Sequence, residues 1–345
     1  MTGHDGPARR SGLSTAPGAD AGSVSAVAAI SSTVVDAEPA GAYSPDVFTG
    51  GQGAAAPSGA WRQIATAFLE NKLALLGIGI VIFMVLLCFV GPLAYHTNQT
   101  NAQLALISTV PTNAPPSAAH LLGTDASSYD ELGRIMYAGQ ADLEVALAAA
   151  ILATLVGVIW GAVAGFAGGI TDTVMMRVVD TVLAVPALLL LIVISDLFKP
   201  SKPFLILLIG FVAWLVPARL VRAETLSLRT REYVQAVKVA GGSRWRIVAR
   251  HIIPNALGTI VVNATFQVAD AILFLAALGY VGLGIQPPGT DWGTMLSTAV
   301  SDGAVVNSYW WLIWPPGLAI VLVAVSFNLI GDALRDGLDV RFQQR

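Results

Sequence analysis

Charge is what this chain has least of. Only 12% of its 345 residues are Asp, Glu, Lys or Arg, about half the share usual in a globular domain, which argues against an ordinary water-soluble fold. Cysteine is nearly absent: Cys88 is the single one and lies in an apolar run, so no intrachain disulfide can form. The four histidines (His4, His96, His120, His251) are scattered without ligand spacing, so no metal site is expected. The net charge of −3 and a pI near 5.8 give no bias toward polyanions, and nucleic acid is not an expected partner. None of the four lysines (Lys72, Lys199, Lys202, Lys238) follows a glycine. A Gly-x-x-x-x-Gly-Lys-Ser/Thr loop to cradle phosphates is therefore missing, and the chain cannot be its own ATPase.

What is present is apolar residues in long blocks: 55% of the chain, with a mean hydropathy of +0.68. Six segments are long enough to cross a bilayer, roughly 73–95, 143–167, 174–198, 203–221, 256–285 and 309–330. The expected fold is an all-α integral membrane protein of six transmembrane helices. A short amphipathic lead-in, Trp61 to Lys72, is expected on the membrane surface. Residues 1–58 are rich in Ala, Gly, Ser, Thr and Pro, with no aromatic before Tyr43 and no strongly apolar core after Arg9-Arg10. They read as a disordered tail rather than a signal peptide. The resulting divisions are the tail 1–58, the surface helix and first span 59–96, an outer loop 97–138, a core 139–335 and a terminal tail 336–345.

Positive charge orients the spans. One side would carry Arg62, Lys72, Arg177, Arg219, Arg222, Arg229, Arg231, Lys238, Arg244, Arg246, Arg250, Arg335, Arg341 and Arg345; the other holds Arg134, Lys199 and Lys202. Lys and Arg are retained on the cytoplasmic face, so both termini are expected there. Trp310, Trp311 and Trp314 then fall at the outer end of the last span, where indoles favour the interface.

Within the second span Gly157, Gly161, Gly165 and Gly169 recur every fourth residue, a spacing that lets two backbones approach closely. Pro186, Pro217 and the Pro315-Pro316 pair are expected to kink or interrupt their helices. In the fifth span Asn263, Gln267 and Asp270 share one helical face. A mid-membrane carboxylate must face water, a partner or the bundle interior. The stripe is therefore a candidate pathway lining, with Asp270 attracting a cationic group. That Asp270 instead pairs with a neighbouring helix or subunit stays open. Asp180, close to Arg177, is expected to be structural.

The polar island from Arg219 to Asn255 concentrates eight of the 19 basic residues. A helix Glu232–Ala240 is expected, with Glu232, Gln235 and Lys238 on its polar surface. Gly241-Gly242 should break it, and Ser243 should cap a second run, Arg244–His251, ended by Pro254. Two short helices at an angle make a compact handle for a partner; the plainer alternative is a solvated loop that only sets topology.

The ordered series Glu232-Tyr233-Val234-Gln235-Ala236, Gly241-Gly242-Ser243 and Arg250-His251-x-x-Pro254-Asn255 resembles the coupling motif of ABC importer permeases. Leu122-Gly123-Thr124-Asp125, Met176-Arg177-Val178-Val179-Asp180, Gly282-Leu283-Gly284 with Trp292-Gly293, and Asn328-x-x-Gly331-Asp332 are similar to segments of dipeptide/oligopeptide/nickel permeases, in family order over about 60–341. The likeness is to the second, C-type permease subunit, with a type I ABC importer transmembrane domain. It implies a sister permease, one or two ATPase subunits holding ATP and Mg, and an extracytoplasmic substrate-binding protein, in a bacterial plasma membrane. It also implies that Glu232, Tyr233, Gln235, Ala236, Lys238, Gly241, Arg244, Arg246, Arg250 and His251 form the ATPase-coupling surface. The sequence departs from the family pattern at Gln235 (usually Glu), Val237 (Ala), Ser128-Tyr129 (Gly-Arg), Gln140 (Arg) and Val340 (Pro). Another solute on this scaffold, such as nickel or an oligosaccharide, is one alternative. An ion-coupled secondary transporter is another, but it should show internal repeats, and none is visible.

Overall fold

The computed structural model describes residues 69–96, 111–198 and 200–343, with side chains through residue 338. The tail 1–58, most of the surface lead-in, residues 97–110 and Lys199 lie outside the described residues. Among those described the fold is all helical, and the one β-type contact is an isolated bridge between Thr124 and Asp130.

Among the described residues ten helices follow in order: α1 Lys72–Ala94, α2 Glu131–Ala167, α3 Gly169–Leu183, α4 Ala187–Leu197, α5 Lys202–Ala213, α6 Leu215–Leu228, α7 Glu232–Val239, α8 Arg244–Tyr280, α9 Trp292–Ser301 and α10 Trp310–Gln343. Helices α1, α2, α8 and α10 are each long and apolar enough to cross a membrane. The pairs α3–α4 and α5–α6 pass the same test only as broken spans, bent by 78° and 41°. Six crossings result if each pair counts once.

The structure departs from the sequence reading in three places here. The second span begins at Glu131, not near residue 143, because Asp130 caps it: its Oδ1 accepts from Gly133 N at 2.8 Å. Two polar residues farther along have tertiary partners: Asp142 Oδ2 accepts from Trp292 N at 3.0 Å and Glu144 pairs with Lys202 Nζ at 2.7 Å. As expected, the third span is interrupted at Pro186, where its two helices meet at 78°. Helix α10 runs unbroken through Pro315 and Pro316; only about one turn precedes them, so few main-chain bonds are lost. Helix α9 was not foreseen as a helix. Asp291 starts it by accepting from Thr294 N at 2.8 Å, and its other oxygen takes Ile285 N at 2.8 Å and Thr294 Oγ1 at 2.7 Å. Trp292 is completely buried, its indole donating to Ile135 O at 3.1 Å.

The centre of the bundle is α2, which packs along α6, α8 and α5. Its contact with α6 is very close. A Cβ at Gly157 would lie 2.7–2.8 Å from the Pro217 ring and Trp214 O, and one at Gly165 2.8 Å from Thr225 Cβ. At Gly161 it would collide with the Ala218 carbonyl. Such approach is what holds helices together where lipid offers no hydrophobic drive. Gly169 does not belong to this ladder. It sits past the end of α2 at φ +57° with nothing within 4 Å, where the chain turns into α3.

Gly161→Ala is expected to destabilise the bundle by about 1–3 kcal/mol through overpacking against main chain. Gly79→Ala, in the interior of α1 with open space around it, should be neutral or stabilise by up to about 1 kcal/mol. Thermal melting in detergent checks the contrast, and equal melting temperatures would refute it.

Candidate functional site

The polar island folds as α7, a turn and the start of α8. Helix α7 ends in a Schellman turn: Gly242 N donates to Val237 O at 2.9 Å and Gly241 N to Lys238 O at 3.2 Å, with Gly241 at φ +81°. That conformation is the reason for a glycine here. Ser243 Oγ then accepts from Arg246 N at 3.3 Å and caps the next helix. The expected stop at Pro254 does not occur. A π-helical turn over Val248–Ile252 precedes it and Pro254 falls in the first turn of the segment that follows, where a missing N–H costs little. The helix is therefore continuous from Arg244 to Tyr280.

One side of this element is anchored. Val234, Ile247, Val248 and Ile252 are buried in a cluster with Val158 and Ala162 of α2, Val221 of α6 and Ala256 and Ile260 of α8. Polar ties add to it. Gln235 Nε2 donates to Arg229 O at 2.8 Å, and Arg229 Nη1 donates to Gly165 O at 2.8 Å in the last turn of α2. A cation there also suits the negative end of the helix dipole. Arg222 forks onto Asp172 of α3 at 2.5 and 2.7 Å, and Arg219 pairs with Asp180. Asp180 thus finds its partner on α6.

The opposite side is open. Glu232, Tyr233, Gln235, Ala236, Lys238, Gly241, Arg244, Arg246 and Arg250 are all exposed. His251 is half-buried, its ring 6.5 Å from that of Tyr233. Two apolar side chains that sequence reasoning passed over stand among them: Val239 is 88% and Trp245 63% exposed. The available signal was their position inside a charged run, where neither has a core to enter. A basic rim around exposed Tyr233, Val239 and Trp245 is suited to docking a folded partner.

The structure does not keep Asn263, Gln267 and Asp270 on one open face. Gln267 is 3% exposed and turned into the bundle, where Nε2 donates to Ala213 O at 2.8 Å. It is not pathway lining, because a main-chain carbonyl on α5 claims its amide. Asn263 is half-buried with its Oδ1 unpartnered. Asp270 is exposed on α8 and makes no ion pair among the described residues.

Comparison with known proteins now adds to this geometry. Residues 157–344 match the family described as binding-protein-dependent transport system inner membrane component, and residues 59–116 match the N-terminal TM domain of oligopeptide transport permease C. The chain is 36% identical over 288 residues to the oligopeptide transport system permease protein OppC of Bacillus subtilis, covering 82% of this chain and 90% of that one. It is 34% identical to the dipeptide transport system permease protein DppC of the same organism, over 83% of this chain and 86% of the relative. To the OppC protein of Haemophilus influenzae it is 37% identical, over 81% and 88%.

Ile247→Ala is expected to cost about 2–5 kcal/mol as a core truncation. Trp245→Ala should shift stability by no more than about 0.5 kcal/mol, as at an ordinary surface site. Melting of the purified chain separates the two, and a large loss on Trp245→Ala would mean that the indole is structural.

Proposed function

Because the chain belongs to the binding-protein-dependent transport system inner membrane component family, a family of multi-pass permeases of the bacterial inner membrane, we propose that it forms one half of the pore of a di- or oligopeptide ABC importer. The names of its relatives supply the cargo class. Its own work is conformational, and ATP with Mg is bound and hydrolysed on one or two partner ATPases. A sister permease completes the pore, and an extracytoplasmic binding protein delivers peptide. Both termini lie in the cytoplasm, a reading supported by the uneven distribution of Lys and Arg.

The observation that carries this reading is the two-sided island. Its inner side is wedged among α2, α6 and α8, while Tyr233, Val239 and Trp245 project outward among basic residues. A partner gripping the outer side would move the helix bases with it. Aromatic anchors of this kind dominate protein interfaces.

Trp245→Ala combined with Val239→Asp should leave chain abundance unchanged, and both ATPase co-purification and peptide uptake should fall more than about tenfold. Retained ATPase and normal uptake would defeat the reading. Asp270 is proposed to face the space shared with the sister permease and to attract the peptide's α-ammonium. Asp270→Asn should then lower uptake while ATPase binding and hydrolysis persist, and unchanged uptake would exclude it from the pathway.

A further inference from the structure

The break between α5 and α6 is where the span that enters the island bends by 41°. In an uninterrupted helix the Ala213 carbonyl would accept the N–H of residue 217, but Pro217 has none to give. The site is enclosed: Ala213, Trp214, Leu215 and Pro217 are all buried. In lipid a freed carbonyl must find another donor within the protein. The donor is on a different helix, Gln267 Nε2 of α8, at 2.8 Å in a fully buried bond.

The neighbourhood is built around this exchange. Gly157 of α2 admits the Pro217 ring and Trp214 O where a methyl group would press on both. The Trp214 ring packs edge-on against Trp160 at 5.0 Å, and Trp160 Nε1 donates to Met175 O on α3 at 3.3 Å. A second tie joins α6 to α8 nearer the island, Thr259 Oγ1 to Glu224 Oε1 at 2.9 Å. Helix α8 is thus tied twice to the bent α5–α6 pair, and the link farther from the island falls on the bend itself.

We propose that Gln267 is a positioning residue of the transport cycle. Its amide latches α8 to the proline-freed carbonyl at the α5–α6 bend, so that motion imposed on the island reaches the bend through α6 and α8 as one body. This rests on the reading of the island as an ATPase-docking element. Gln267 touches no cargo; it acts through the Ala213 carbonyl. The bond sits between segments joined in register by their other contacts, so losing it frees the bend without unseating the island, whose anchors are Val234, Ile247, Val248 and Ile252.

The test uses the assembled importer in vesicles, with Gln267→Leu made both in the native background and beside Pro217→Ala. In the native background Gln267→Leu should keep ATPase co-purification and hydrolysis within about twofold of the unmodified importer, and uptake per ATP should fall about tenfold, as when a buried acceptor is left unpaired. In Pro217→Ala the restored N–H can serve Ala213, so adding Gln267→Leu should cost no further uptake; such non-additivity is the mark of a shared partner. An equal loss in both backgrounds would overturn the proposal, as would unchanged uptake in the native background. A parallel fall of abundance, hydrolysis and uptake would reduce Gln267 to a structural role and overturn it too. If the unmodified chain brings down no ATPase, the docking reading falls, and the latch with it.

Discussion

In the apolar interior of a bilayer, a main-chain amide or carbonyl without a partner costs several kcal/mol. This chain breaks its helices repeatedly, and at several of the irregularities a side chain supplies a donor or acceptor. Gln140 Nε2 donates at 2.7 Å to the Cys88 carbonyl within the π-helical turn of α1. Asp291 collects the donors at the start of α9, and Asp142 of α2 takes Trp292 N. Gln267 serves the carbonyl released by Pro217.

The island depends on the same constraint from the other direction. Outside the membrane its helix end can be finished by backbone alone, as the turn at Gly241-Gly242 shows. Its stiffness comes from apolar side chains sunk between α2, α6 and α8 and from Arg229 closing the end of α2. One face is therefore continuous with the core, and the other is exposed.

Much of this was legible because it is local. Four-residue glycine spacing, the Ser243 cap and the glycine turn after α7 depend on residues close in sequence, and apolar blocks announce spans wherever they occur. The rest was hidden because it is tertiary. Asp142 looks like a loop residue until its partner is known, so the second span seemed to start late. Helix α9 needs a carboxylate 150 positions away from Trp292. The inward turn of Gln267 follows from a proline on another helix, which helical periodicity cannot register. Pro254 misled for a subtler reason: a π-helical turn just before it shifts the bonding so that the missing N–H interrupts nothing. Val239 and Trp245 were overlooked because a charged run draws attention to its charges.

The uninterrupted course of α8 has a geometric consequence. At 1.5 Å per residue, its 37 residues make a rod of about 55 Å, against about 30 Å of hydrocarbon. Pivoting such a rod by about 5° sweeps its far end through an arc of about 5 Å. Small angular changes at one membrane face are thereby converted into displacements the width of a side chain at the other.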